Sequence, residues 1–153
     1  MKIEYIKASL KNIEAMQKLV SSEVESGVIL ERSSDEMSTN IRSYTLAYVD
    51  GVLVGFCALH IHTTSLAEIR SLIVDEKFRG NRIGENLVLS CVEEGRDLGL
   101  QKLLSLTYKQ SFFENLGFIE IPKESLPEHK IWADCIKCKH FPICNEVSLI
   151  KNL

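Results

Sequence analysis

Residues 67–95 constrain this chain more than any other stretch. Ala67-Glu-Ile-Arg-Ser-Leu-Ile-Val74 reads as a strand and Arg79-Gly-Asn-Arg-Ile-Gly84 as a loop, and an amphipathic helix follows with Ile83, Leu87, Val88, Cys91 and Val92 on one face. At such a junction the first N–H groups of the helix have no partner inside it, and the helix dipole adds partial positive charge. A phosphate or pyrophosphate binds there. Gly80 and Gly84 carry no Cβ, so the backbone approaches a ligand closely, and Arg79 and Arg82 add charge-assisted contacts. The spacing excludes a P-loop, which needs Lys-Ser/Thr after its second glycine. It also excludes the dinucleotide pattern G-x-G-x-x-G.

The rest of the chain supplies a sheet around this junction. Residues 2 to 7 alternate charged and apolar, as a strand does. Asn12 is a candidate cap for a first helix carrying Ile13, Met16, Leu19 and Val20 on one face, and Gly27 breaks that pattern. Ser33 with Glu36 is a capping-box pair for a second short helix through about Ile41. Tyr44 to Val49 and Val52 to His62 are strands joined by Asp50-Gly51, a dipeptide that tolerates the positive φ of a tight hairpin. Leu103 to Thr107 is another strand. A short helix spans Ser111 to Leu116, and strands follow at Phe118 to Ile121 and Glu146 to Ile150. Gly99 and Gly117 end the two later helices.

The resulting order is β-α-α-β-β-β-α-β-α-β-β. It predicts an α/β (α+β) fold with a mixed, mostly antiparallel sheet and helices on it. The 153 residues suit one domain, 1–153, with a polar, Cys-containing segment at about 122–145.

Composition narrows the function. A net charge of −3 argues against a general nucleic-acid binder. No apolar run is long enough to span a membrane, and the N-terminus carries charges where a signal peptide would be apolar. Five cysteines, an odd number, do not make a secreted disulfide framework, so a reducing cytoplasm is the expected compartment.

The loop resembles the acyl-CoA loop of the GNAT acetyltransferases, R/Q-x-x-G-x-G/A, with Arg79 and Gly84 in the first and last places and Arg82 where the middle glycine is most common. The element order is that of the GNAT fold as well. The resemblance implies that acetyl-CoA is the cofactor and that it is held by Leu72, Ile73, Val74, Arg79, Gly80, Asn81, Arg82, Ile83 and Gly84. It also implies that the parallel strands 67–74 and 103–107 splay into a V that admits the thioester, with Ser71 and Thr107 lining it as substrate-binding residues, each with one hydrogen bond to donate. Many domains of this kind form homodimers through sheet edges or late strands.

A second resemblance covers nearly the whole chain. Ile29-Leu-Glu-Arg-Ser33, Ala67-Glu68 with Leu72-Ile-Val74, Phe112-Phe-Glu-Asn-Leu-Gly-Phe118, Leu126-Pro-Glu128 and Trp132-Ala-Asp-Cys-Ile-Lys-Cys138 resemble the acetyltransferase domain of the N-acetylglutamate synthases, in a short form without the kinase-like domain. It implies N-acetylation of L-glutamate, the first step of arginine biosynthesis. Arg32 matches the family's substrate arginine, and an arginine fork suits a carboxylate. Arg70 either holds the second carboxylate or pairs at the surface. Glu68 matches a family Glu and is the candidate general base, direct or through water; by the two-residue period it shares a face with Arg70 and Leu72. The tyrosine that many GNAT enzymes use as general acid is replaced by Phe113. That leaves Tyr108, or no acid at all, since a thiolate is a tolerable leaving group.

Other constellations stay open. Cys135, Cys138, His140 and Cys144 have the ligand types of a zinc site, or form a compact loop of reduced thiols. Cys57 and Cys91 read as buried packing thiols, and His60 and His62, on one strand face, as structural or surface residues. The alternatives to glutamate acetylation are a GNAT acting on another small amine or a protein N-terminus, and a non-catalytic acyl-CoA-binding module.

Overall fold

Turn chemistry and alternation build the expected order of elements. The computed structural model describes residues 1–26, 32–125 and 146–153. Seven strands form one sheet: β1 (Ile3–Lys7), β2 (Tyr44–Val49), β3 (Val52–Ile61), β4 (Leu66–Val74), β5 (Lys102–Thr107), β6 (Ile119–Ile121) and β7 (Val147–Asn152). Their spatial order is β1-β2-β3-β4-β5-β7-β6. Only β4 and β5 run parallel among these pairs. The α-helices are α1 (Ile13–Ser26), α2 (Ser34–Thr39), α3 (Ile83–Leu98) and α4 (Gln110–Glu114). Gly27, residues 29–31, Leu126-Pro-Glu128 and the segment holding Trp132, Cys135, Cys138, His140 and Cys144 lie outside the described residues.

Local signals behave as their chemistry requires. Asp50 and Gly51 both take positive φ, at 50° and 81°, and close the β2–β3 hairpin. Ser33 Oγ accepts from the Glu36 N–H at 3.1 Å and starts α2. Asn12 behaves differently from the expectation. It ends a 3-10 turn at Leu10–Asn12, and its side chain accepts from the Ser9 N–H at 2.8 Å, so it ties the chain entering α1 instead of capping that helix.

Two apolar layers flank the sheet. On one face α1 and α2 bring Ile13, Met16 and Met37 against Tyr44, Leu46 and Phe56. On the other α3 packs Leu87, Val88 and Cys91 against Cys57, Leu59 and Ile69. Each fully buried Leu or Phe contributes about 1.5–3 kcal/mol, so both layers anchor the central strands firmly. At Gly55 the backbones come so close that a Cβ would lie 2.7 Å from the Ile73 carbonyl oxygen, which holds β3 tight against the outer half of β4.

That outer half carries the feature that matters most for function. β3 pairs with β4 at Phe56↔Ile73 and again at Ala58↔Arg70, so one residue of β3 faces two of β4, Ser71 and Leu72. Ser71 takes φ 59° to make this bulge. An inserted residue reverses the alternation of faces beyond it. Leu72 therefore does not share a face with Glu68 and Arg70, as the simple two-residue period predicts. It packs with Val74 on the α3 side, while Ile73 turns to the α1 side.

Candidate active site

The parallel pairing of β4 and β5 runs from Leu66↔Lys102 to Ile69↔Ser105 and stops. Beyond it β4 continues through its bulge to Val74, while β5 stays paired to β7 as far as Thr107↔Val147. The two strands thus open into a V whose base is the Ile69–Ser105 pair. Ser71 and Leu72 lie beyond the last β4–β5 pair and at the bulge opposite β3, beside the open fork. Thr107 stands near the open end of β5, its hydroxyl accepting from the Lys109 N–H at 2.9 Å.

At the far end of β4 the chain passes a 3-10 turn and enters α3. Gly80 takes φ 87°, a conformation natural to glycine. Arg82, the residue before the helix, takes φ 59° and ψ 21° and gives no side-chain cap. The amides of the first turn of α3 are therefore left to an external anion. A cavity of about 230 Å³ opens here, lined by Leu72 and Val74 of β4, by Arg79, Gly80, Arg82, Ile83 and Gly84, and also by Phe78, Glu85, Lys109 and Phe112. Of the residues expected around the cofactor, Ile73 is buried under α1 and Asn81 donates from Nδ2 to the Phe78 carbonyl at 3.0 Å, holding the loop. Lys109 is a cation that the loop motif does not include. An uncapped helix start ringed by Arg79, Arg82 and Lys109 has the chemistry a pyrophosphate needs, and the apolar groove along Leu72 and Val74 suits a thin apolar arm.

This yields a quantitative expectation. Arg79→Ala and Arg82→Gly each weaken acetyl-CoA binding by roughly 3–10-fold, the scale of an exposed ion pair, and the deficit shrinks in high salt. Arg82→Gly keeps the left-handed backbone without its cost, so its thermal midpoint should equal or exceed that of the native chain. Calorimetric titration at two ionic strengths, with thermal unfolding, checks both.

The α1–α2 face of the fork holds a second, polar cluster. Glu68, directly opposite His60 on β3, is 1% exposed. His62 Nε2 lies 2.9 Å from Glu68 Oε1. Arg70 donates from Nη2 to His60 Nδ1 at 3.0 Å, and the two imidazole rings meet edge to face at 5.0 Å. Arg32 forms an ion pair with Glu36 at 3.0 Å. Burial pushes the Tyr44 hydroxyl above its ordinary range, against the lowering pull of Arg32 and Arg70, and Glu36 pushes it up. Arg32 and Arg70, distant in sequence, thus act on one buried side chain. Ser148 of β7, opposite Leu106, adds a buried hydroxyl that has no hydrogen-bond partner among the described residues. Nothing in the sequence singles out Ser148, and His62 reads there as a structural or surface residue; its one signal is its place across a short turn from an acidic strand residue.

Elsewhere the aromatic and thiol groups serve packing. Phe113 is buried edge to face between Phe112 and Phe118, each 5.1 Å away, and Tyr108 is 43% exposed at the end of β5. Cys57 and Cys91 are free thiols with sulfurs 3.2 Å apart. The hydrogen bond to Cys91 and burial raise the Cys57 thiol well above its usual range, which leaves little thiolate for covalent chemistry.

A mixed sheet forked in this way, with an anion cradle where the bulged strand meets a helix, is the frame of an acyl-CoA-dependent N-acyltransferase. The acetyltransferase (GNAT) family matches residues 10–118. An uncharacterized N-acetyltransferase of Chlorobaculum tepidum is 35% identical over 146 residues, 95% of this chain and 94% of the relative. An amino-acid acetyltransferase of Mycobacterium tuberculosis is 30% identical over 118 residues, 75% of this chain and 67% of the relative. In structure, N-acetylglutamate synthase from Neisseria gonorrhoeae, complexed with coenzyme A and N-acetyl-glutamate, superposes with a TM-score of 0.88 at 23% identity, covering 100% of this chain and 35% of that one. The chain belongs to the GNAT family of acetyltransferases, and acetyl-CoA is its acyl donor. Among the described residues no helix is long and apolar enough to cross a membrane.

Proposed function

We propose that this GNAT domain transfers the acetyl group of acetyl-CoA to the α-amine of L-glutamate, as an N-acetylglutamate synthase of arginine biosynthesis. The observation that carries this reading is that Arg32 and Arg70 both bear electrostatically on the buried Tyr44 hydroxyl, on the sheet face that also holds Glu68 at the base of the fork. A dicarboxylic amino acid needs two cationic forks and a nearby base, and Arg32, Arg70 and Glu68 on this face support that reading. The Mycobacterium tuberculosis amino-acid acetyltransferase supports an amino-acid acceptor, and the Neisseria gonorrhoeae N-acetylglutamate synthase supports glutamate. Two reduced, buried thiols suit a cytoplasmic location.

In this mechanism Arg79, Gly80, Arg82 and the first amides of α3 hold the pyrophosphate. Leu72 and Val74 line the path of the pantetheine arm into the fork. The donor supplies an activated acetyl thioester. The Ser71 and Leu72 amides at the bulge receive the thioester oxygen as negative charge grows on it. Arg32 and Arg70 hold the two acceptor carboxylates. Glu68, nearly closed off from solvent, takes the ammonium proton through one water. The freed amine forms the new C–N bond and gives up its second proton as the C–S bond breaks; the departing thiolate takes up one proton and leaves as the CoA thiol, so one proton goes to solvent overall.

A panel of amino acids, assayed by release of CoA thiol with product masses, tests this. L-Glutamate should exceed L-glutamine and L-aspartate in kcat/KM by about tenfold or more, since each loses or misplaces one charged contact worth about 1.5–3 kcal/mol. Turnover on amines lacking a side-chain carboxylate, with none on glutamate, would refute the acceptor and leave the acetyltransferase intact.

A further inference from the structure

We propose that His62 is a positioning residue of the transfer site: its imidazole holds the buried Glu68 carboxylate ionised and fixed in aim. The proposal rests on reading Glu68 as the general base. Both side chains are nearly closed to solvent, 3% and 2% exposed, with Nε2 and Oε1 2.9 Å apart. A carboxylate is acceptor-only, so for Glu68 to act as base the shared proton belongs to His62 Nε2. Without such a donor a buried carboxyl favours its neutral form, which cannot receive a proton from an ammonium group.

The backbone around His62 is built to hold it there. The His62 and Thr63 N–H groups both donate to the Leu66 carbonyl, at 2.9 and 3.0 Å. Thr63 Oγ1 accepts from the N–H groups of Ser65 and Leu66. The turn from β3 into β4 is thereby locked, and the imidazole reaches diagonally back over Glu68. On its other side the ring meets His60, which Arg70 holds through Nδ1. A guanidinium always donates, so this contact keeps a lone pair on His60 Nδ1 and makes His60 a neutral neighbour. Tyr44 on β2, and Arg32 and Glu36 just before and within the first turn of α2, are further charged and titratable groups described on this face. β5 presents the apolar Leu104 opposite Glu68.

His62 neither gains nor loses a proton in the step. An N–H bond of the acceptor ammonium breaks and Glu68 takes the proton, while His62 Nε2–H stays on Oε1. A role limited to closing the hairpin would affect stability alone; the proposed role also affects the pH at which the base works.

The experiment uses the full chain and three variants, His62→Phe, His62→Gln and Glu68→Gln, with kcat/KM for L-glutamate followed against pH, acetyl-CoA binding by calorimetry and thermal unfolding. His62→Phe removes this donor, so the acid limb should move up by about one pH unit or more, a loss of about tenfold below the limb that fades as pH rises. Gln places an amide N–H near the Nε2 position, so His62→Gln should restore the native limb and activity to within about threefold. Acetyl-CoA binding should be unchanged. A folded, acetyl-CoA-binding His62→Phe with the native acid limb overturns the proposal. If that variant does not fold, a folded His62→Gln that has lost activity overturns it equally. Full activity in Glu68→Gln removes the base assignment itself, and is recognisable because it leaves acetyl transfer running.

Discussion

Glu68→Gln should lower kcat by about 10²–10⁴-fold, the usual contribution of a general base, while acetyl-CoA still binds with native affinity. The amide is nearly isosteric and its oxygen still accepts from His62 Nε2, now 2.9 Å from Glu68 Oε1. The β3–β4 hairpin and the buried layer beneath α1 should therefore survive. The lost property is the capacity to accept a proton at the base of the fork. The deficit should narrow as pH rises, because a growing fraction of the acceptor amine is then already deprotonated. Steady-state rates across pH, with calorimetry and thermal unfolding, check this. A kcat within threefold of native at neutral pH, in a folded protein, would show that the amine loses its proton by another route.

What was legible in the chain, and what was not, follows from the range of the interaction responsible. The Asp50-Gly51 hairpin and the Ser33–Glu36 cap are each decided within four residues, and both form. The helix face of Leu87, Val88 and Cys91 needs only its own period to be read. The β4 bulge is another matter. It arises from the pairing of Phe56 with Ile73 and of Ala58 with Arg70, and nothing local to Ser71 announces it. Its consequence is large, since it sends Leu72 and Val74 to the α3 side, where they line the cavity, and leaves Glu68 and Arg70 on the other. In the proposed mechanism that one inserted residue lets a single strand serve donor and acceptor on opposite faces. His62 was opaque for a similar reason. Read as a strand residue beside His60 it looks structural, and only the turn through Leu66 folds it onto Glu68. The Arg82 position shows the converse. The family's preference for glycine there has a physical basis in this chain, whose arginine adopts φ 59°.

Arg32→Ala should raise KM for L-glutamate by about 10- to 150-fold, the equivalent of one charged hydrogen bond of about 1.5–3 kcal/mol, and change KM for acetyl-CoA little. The guanidinium is on the α1–α2 side of the sheet, paired with Glu36 at 3.0 Å, whereas the cradle at Arg79, Arg82 and Lys109 opens on the other side of the bulge. The two binding events are therefore separable by mutation. Glu36 keeps a 32% exposed side chain and stays hydrated, while the Arg32 side chain is 10% exposed, so thermal unfolding should accompany the kinetics to read the packing lost with the guanidinium. Arg32→Lys separates charge from geometry: an ammonium offers a point charge where the guanidinium offers a planar fork, so KM for glutamate should fall between native and Ala values. If Arg32 reads the side-chain carboxylate, Arg32→Ala should also erase most of the preference for glutamate over glutamine. Equal losses toward both substrates and toward acetyl-CoA would mean that Arg32 supports the fold through Glu36 and α2, and that the acceptor carboxylates are held elsewhere.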